Sequence, residues 1–121
     1  MKIHLVDDNI DITNMLKIYF EKKGHECSVS TDGRSALPIL LNQKFDVVLL
    51  DVALPEFSGR DIIDSLYKNN KMLQSNIVIL SASTLEDGQN EIFMNKGVRG
   101  VLKKPMDPDD ILDYLLQYIV K

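Results

Sequence analysis

Cysteine is scarce in this sequence, tryptophan is absent, and no apolar run is long. The 121 residues contain a single cysteine, Cys27, so a disulfide framework within the chain is impossible and a reducing compartment is the expected environment. No run approaches the roughly 20 apolar residues that span a bilayer, and the first residues lack the basic and apolar regions of a signal peptide. These absences favour a cytoplasmic protein without membrane insertion.

Basic residues are also outnumbered by acidic ones. The chain has 14 Lys and Arg against 18 Asp and Glu, with a net charge of −4, which argues against direct binding of nucleic acid. Apolar residues make up 45% and charged residues 26%, as in a folded globular protein rather than a disordered chain. The length suits a single domain over residues 1–121.

Short apolar runs alternate with segments of helical periodicity, which is typical of a parallel sheet covered by helices on both faces. The expected strands are Lys2–Val6, Glu26–Ser30, Asp46–Leu50, Asn76–Leu80 and Gly100–Leu102. Strict alternation with five helices predicts an α/β fold: a flavodoxin-like, doubly wound (βα)5 three-layer sandwich with strand order 2-1-3-4-5.

Turn and cap residues predict the helix ends. Helix 1 is expected to run to about Lys23, and helix 2 from about Asp32 to Lys44 with Pro38 inside it. Helix 3 follows the loop at 54–59. Helix 4 is expected to begin at Ser83, with Glu86 completing a capping box, to include Gly88 and to end at Gly97. Helix 5 is expected to begin at Asp107, followed by Pro108. The predicted apolar faces of the helices include Met15, Tyr67, Ile92 and Tyr118.

Polar side chains follow the apolar runs where the predicted strands end. They are Asp7 and Asp8 after strand 1, Asp51 after strand 3, Ser81 after strand 4 and Lys104 after strand 5. The carboxyl ends of parallel strands share one edge of the sheet, and ligands bind there. Three carboxylates, a hydroxyl and an ammonium suit a divalent metal and a phosphoryl group.

These motifs resemble the receiver domain of two-component response regulators, a chemotaxis-regulator-like domain, along the whole chain. The matching segments are Val6-Asp7-Asp8, Leu50-Asp51 with Leu54-Pro55 and Gly59, Ser81-Ala82, and Gly97 with Leu102-Lys103-Lys104-Pro105. The resemblance implies that Asp51 is the phosphoacceptor, which attacks a phosphohistidine of a sensor histidine kinase and becomes an acyl phosphate.

The resemblance also implies roles for the surrounding residues. Asp8 would bind Mg²⁺ directly and Asp7 through water, with Asp51 and the backbone carbonyl of Ala53 completing the protein ligands. Lys104, rather than Lys103, would place its ammonium against the phosphoryl group, or against Asp51 before phosphorylation. Ser81 would donate a hydrogen bond to a phosphoryl oxygen. The peptide bond between Lys104 and Pro105 is expected to be cis.

The sequence departs from the family at a few positions. Val101 stands where the family usually has an aromatic residue in strand 5, so the packing change that reports phosphorylation is expected to differ. Met106 stands where the family often has Phe. Ala53 and Ser83 occupy the positions that tune hydrolysis of the acyl phosphate. Both are small, and we expect an open path for water and a short-lived phosphorylated state.

Three uses of the phosphoryl group remain open at this point. They are a stand-alone receiver that binds a downstream effector, a relay intermediate that passes the group to a histidine phosphotransfer protein, and a receiver module cut from a longer regulator. We expect a monomer or weak homodimer formed through the surface of helix 4, strand 5 and helix 5. His4 and His25 lie away from the ligand edge and are expected to be structural.

An enzyme is the rival class. Aspartate phosphatases of the haloacid dehalogenase type carry a second aspartate two residues after the nucleophile, where this chain has Ala53, so turnover is not expected. The sequence also lacks Gly-x-Gly-x-x-Gly after strand 1 and a Walker-type loop, which argues against a nucleotide-binding domain.

Overall fold

The sheet has five parallel strands in the order β2-β1-β3-β4-β5. A computed structural model describes residues 1–82 and 88–120. The strands are β1 (Lys2–Val6), β2 (Glu26–Ser30), β3 (Val47–Leu50), β4 (Ile77–Ser81) and β5 (Gly100–Lys103). The predicted fold class and strand order are confirmed, and the predicted strand ends differ from these by at most one residue.

A helix follows each strand along the chain. The helices are α1 (Ile10–Lys22), α2 (Gly33–Asn42), α3 (Gly59–Lys68), α4 (Gln89–Lys96) and α5 (Pro108–Tyr114), with a 3-10 turn at Met72–Gln74 and a π turn at Leu115–Ile119 that continues α5. Pro38 lies inside α2, as predicted. Within the described residues, none of the helices combines the length and apolar character that crossing a membrane requires.

Two apolar cores lie on opposite faces of the sheet. One joins Val6, Val48 and Ile79 to α2, α3 and α4, and the other joins Ile3, Leu49 and Val78 to α1 and α5. All residues of β3 and β4 are buried because both faces of these strands are covered, which explains why they read as continuous apolar runs. The sheet therefore has helices on both sides, as the three-layer prediction requires.

The buried stripes of α1, α3, α4 and α5 are narrower than predicted. The sequence predicts Met15, Tyr67, Ile92 and Tyr118 on apolar faces, but 47 to 56% of each residue is exposed. In α1 the buried residues are Thr13, Leu16 and Phe20, which lie on one line three and four residues apart. The predictions were wrong at these positions because an apolar side chain beside the stripe can remain at the surface.

The helix ends follow local capping chemistry. Asn9 caps α1 by accepting a hydrogen bond from the Ile12 amide at 3.1 Å. Asp107 stands before Pro108 as predicted, although its side chain accepts no capping hydrogen bond within the described part of the chain. Gly88 precedes α4 instead of lying inside it, because its φ of 85° is left-handed and incompatible with a helix interior. The predicted start of that helix at Ser83, with Glu86, lies outside the described residues.

Candidate functional site

The predicted site residues meet at the carboxyl edge of the sheet. Register places Val6 beside Leu50, and the Asp51 amide donates to the Val6 carbonyl at 2.9 Å. Ser81 is the last residue of β4, and the Lys104 amide donates to its carbonyl at 3.0 Å. Backbone pairing thus brings the ends of β1, β3, β4 and β5 together, and with them the side chains that follow.

Asp51 lies at the centre of this group and is 7% exposed. Its Oδ1 accepts a hydrogen bond from the Ser81 hydroxyl at 3.0 Å and another from the Ala53 amide at 2.9 Å. Its Oδ2 lies 3.4 Å from Lys104 Nζ. The carboxylate is therefore oriented by donors on both oxygens, in a site that is largely shielded from water.

Lys104 links two carboxylates. Its ammonium donates a short hydrogen bond to Asp7 Oδ2 and a longer one to Asp51. Burial lowers the pKa of Lys104, but the hydrogen bond to Asp7 and the charges of Asp51 and Asp7 outweigh it, so the pKa lies above its ordinary value. The expected contact with Asp51 is present, while the shorter contact with Asp7 was not foreseen. Lys103 is exposed, and the Lys104-Pro105 peptide is cis as predicted.

Three carboxylates form an acidic cluster at this edge. One oxygen from each of Asp7, Asp8 and Asp51 lies within 4.8 Å of the others. Asp7 Oδ1 accepts a hydrogen bond from the Asn9 amide at 2.9 Å, so it is held on both oxygens, whereas Asp8 is exposed. Lys104 offsets part of the repulsion among these charges, and a divalent cation would offset more. The donor set is the oxygen-rich type that Mg²⁺ prefers.

Gly59 lets α3 begin directly against the site. A Cβ atom at this position would lie 2.5 Å from the Asp51 carbonyl oxygen and 2.6 Å from Val52 Cα. The Gly59 amide also donates to the Val52 carbonyl at 3.2 Å. The sequence motif included Gly59, but its role in fixing the backbone after Asp51 required the structure.

Three other residues discussed in the sequence analysis lie outside the acidic cluster. Val101 is half-buried and packs against the core under α2, α3 and α4. His4 is 1% exposed within β1, and its imidazole is hydrogen-bonded to Ser28 Oγ and Ser30 Oγ at 2.7 Å each. His25 lies 2.8 Å from the amino group of Met1. These contacts give both histidines structural explanations.

Fold and site together define a doubly wound α/β domain with an acidic centre between the ends of β1 and β3. Residues 3–116 match the family model of the response regulator receiver domain. The chain belongs to this family, whose members are signalling domains.

Curated response regulators match most of the chain. The response regulator SaeR of Staphylococcus epidermidis is 32% identical over 109 residues, which are 89% of this chain and 45% of that protein. The chain thus spans about half the length of the curated relatives it matches.

Solved structures share the fold. The chemotaxis protein CheY4 of Vibrio cholerae is 27% identical, with a TM-score of 0.83 over 97% of each chain. The receiver domain of sensor histidine kinase PA1611 from Pseudomonas aeruginosa, with a magnesium ion coordinated in its active site cleft, is 23% identical, with a TM-score of 0.83 over 99% of this chain and 98% of that one.

Proposed function

We propose that this chain is a phosphoacceptor in a two-component system and that Asp51 receives the phosphoryl group from a sensor histidine kinase. The proposal rests on the environment of Asp51. A hydroxyl, a backbone amide and an ammonium all donate hydrogen bonds to its carboxylate, and the carboxylates of Asp7 and Asp8 lie close to it. A purely structural aspartate at a strand end would not need so many converging groups.

The transfer is a substitution at phosphorus. A carboxylate oxygen of Asp51 forms a bond to phosphorus while the bond from phosphorus to the kinase imidazole nitrogen breaks, and the imidazole leaves with the electron pair. Negative charge is spread over the transferring oxygens, so positioning and electrostatics dominate the catalysis. Lys104 supplies a positive charge beside Asp51 Oδ2, and Ser81 supplies a donor on the other side.

A magnesium ion fits the acidic cluster. Asp8 would bind it directly because its carboxylate is exposed, and Asp7 would bind through water because both its oxygens already accept hydrogen bonds. Asp51 and the carbonyl of Ala53 would complete the protein ligands. The bound ion would neutralise charge on the phosphoryl oxygens. The magnesium in the PA1611 receiver domain supports this assignment.

Phosphorylation is expected to change how the chain binds a partner. Ser81 and Lys104 contact Asp51 and can turn to the phosphoryl oxygens, which couples the modification to the ends of β4 and β5. Exposed apolar side chains on α4 and after α5 support a partner surface that includes β5; they are Ile92, Met94, Leu116 and Tyr118. The partner is a downstream effector or a histidine phosphotransfer protein, and the chain itself is a cytoplasmic monomer or weak homodimer through the same surface.

Intact mass spectrometry after incubation with acetyl phosphate and Mg²⁺ tests the proposal. The control is Asp64→Asn, which removes an exposed carboxylate of α3 that pairs with Lys96 of α4. The parent and this control are expected to gain one phosphoryl group. Asp51→Asn is expected to gain none, and chelation of the metal should abolish the gain in the parent and in Asp64→Asn. Equal modification of Asp51→Asn and the parent would contradict the assignment.

A further inference from the structure

Two open grooves lie at the amino edge of the sheet, on the opposite side of the domain from Asp51. The first, of about 560 Å³, is lined by Lys2, Lys44, Phe45, Asp46 and Gln74, and the second, of about 510 Å³, by Tyr67, Lys68, Met72, Asn95, Lys96 and Gly97. Both are also lined by Asn70 and Leu73. They therefore meet at the 3-10 turn, and we refer to them together as the basal grooves.

An apolar side chain stands where the two grooves meet. Leu73 is 88% exposed, more than the other exposed large apolar residues of the described chain, such as Ile10 at 61%. Tyr67 beside it is 53% exposed. Single exposed apolar residues are common, but this one stands between two grooves that are each lined by lysines. Leu73 is thus available to pack against an apolar group from outside.

The grooves are basic although the protein is acidic. Four lysines line them against one carboxylate, Asp46, while the whole chain carries a net charge of −4. Asp46 Oδ2 already accepts a hydrogen bond from the Lys2 amide at 2.6 Å. The lining residues therefore carry an excess of positive charge that Asp46 does not balance.

Two of the four lysines are engaged and two are available. Lys96 pairs with Asp64 at 2.5 Å, and Lys2 Nζ lies 5.1 Å from the centre of the Phe45 ring and 3.5 Å from Gln43 Oε1. Lys44 and Lys68 are exposed and have no acidic partner among residues 1–82 and 88–120. One uncompensated ammonium thus lies in each groove, with Leu73 between them.

We propose that the basal grooves dock an acidic segment of a partner protein that carries an apolar side chain. The acidic residues pair with Lys44 and Lys68, and the apolar side chain packs on Leu73. A nucleic acid is disfavoured because such binding rests on many phosphate contacts, whereas the described lining of the grooves offers two lysines without an acidic partner. The proposal does not depend on phosphorylation of Asp51, since the two sites lie at opposite edges of the sheet.

Amide chemical shifts during titration with a synthetic peptide test the docking. The probe is acetyl-Glu-Asp-Glu-Leu-Phe-Asp-Glu-amide, compared with the same peptide carrying Gly-Gly in place of Leu-Phe. The first is expected to shift the amides of Asn70, Leu73 and Gly97 saturably, and the second to bind more weakly. The Asp51→Asn variant is expected to bind the first peptide as the parent does, which separates this test from that of the phosphoacceptor.

A pair of matched variants separates specific docking from general attraction. Lys44→Glu with Lys68→Glu is expected to weaken binding about ten-fold, since two exposed ion pairs are lost and two repulsions are introduced. Arg60→Glu with Lys103→Glu changes the net charge equally at exposed positions outside the grooves and is expected to leave affinity unchanged. Leu73→Ser, also at an exposed position, is expected to remove the advantage of the apolar peptide.

Several results would overturn the proposal. Equal weakening by both double variants would show attraction without a site. Shifts elsewhere on the domain, or no saturable shift at millimolar peptide, would exclude the grooves. Shifts of the same amides on raising the protein concentration without peptide would assign the surface to a second copy of this chain instead.

Discussion

Mild acid is expected to destabilise the domain through His4. His4 is 1% exposed, and its two ring nitrogens are hydrogen-bonded to Ser28 Oγ and Ser30 Oγ. The ring also packs against the tilted ring of Phe45, with ring centres 5.0 Å apart. Burial lowers the pKa of His4 from 6.5 to about 4. The native protein therefore holds a neutral imidazole at pH values where the unfolded chain is protonated.

The sign and size of the effect follow from proton linkage. Because the folded pKa lies below the unfolded one, the unfolded chain binds more protons between these values. The contribution of neutral His4 to the free energy of unfolding is fully present above pH 6.5 and is lost as the pH falls towards 4. A difference of about 2.5 pKa units corresponds to about 3 kcal/mol, of which about 2 kcal/mol is lost by about pH 5.

Urea denaturation of the parent and His4→Gln measures this term. Glutamine can still hydrogen-bond the two serines but does not titrate, and every other ionisable group is the same in the two proteins. The free energy of unfolding of the parent is expected to fall by about 2 kcal/mol more than that of the variant between about pH 7 and about pH 5. Equal losses in the two proteins would refute the account of His4 as a buried neutral group.

Three further perturbations act at the site itself. Mg²⁺ is expected to raise the melting temperature of the parent, because a free concentration a hundred times its Kd adds about 2–3 kcal/mol to the free energy of unfolding. Asp8→Asn should lose most of that gain, and an unchanged gain would exclude Asp8 as a ligand. Gly59→Ala is expected to destabilise the fold by about 1–3 kcal/mol and slow phosphorylation, because its Cβ would press on the Asp51–Val52 backbone; unaltered denaturation and kinetics would contradict that packing argument. Ala53→Lys is expected to lengthen the lifetime of the phosphorylated state by obstructing water, since the Ala53 amide contacts the Asp51 carboxylate and the residue is exposed; equal decay rates would reject the open-path hypothesis.

The sheet and its functional edge were predictable because they depend on patterns within short segments. The apolar run at 47–50 ends at Asp51, and the parallel order then places Asp51 near Asp7 and Ser81. The helix surfaces were less predictable because an apolar residue beside the buried stripe, such as Met15 or Tyr67, has the same hydropathy as one within it. Packing geometry, rather than composition, decides which of them is covered.

Contacts between distant segments could not be predicted from these patterns. The short hydrogen bond from Lys104 to Asp7 depends on the path of one flexible side chain between two carboxylates. Gly88 shows a similar limit, since glycine is compatible with a helix interior as well as a boundary, and its left-handed φ settles the boundary. The basal grooves arise where the start of β1, the ends of α3 and α4 and the 3-10 turn meet, so no local pattern marks Leu73 as their divider.

The position of the phosphoryl group on the chain is the most direct test of the central claim. Borohydride reduces an acyl phosphate to an alcohol and would convert the modified aspartate to homoserine, which fragment mass spectrometry can place in the sequence. After treatment with acetyl phosphate and Mg²⁺, homoserine is expected at position 51 and unmodified aspartate at positions 7 and 8. Homoserine at 7 or 8, or a borohydride-resistant phosphate ester on Ser81, would contradict it.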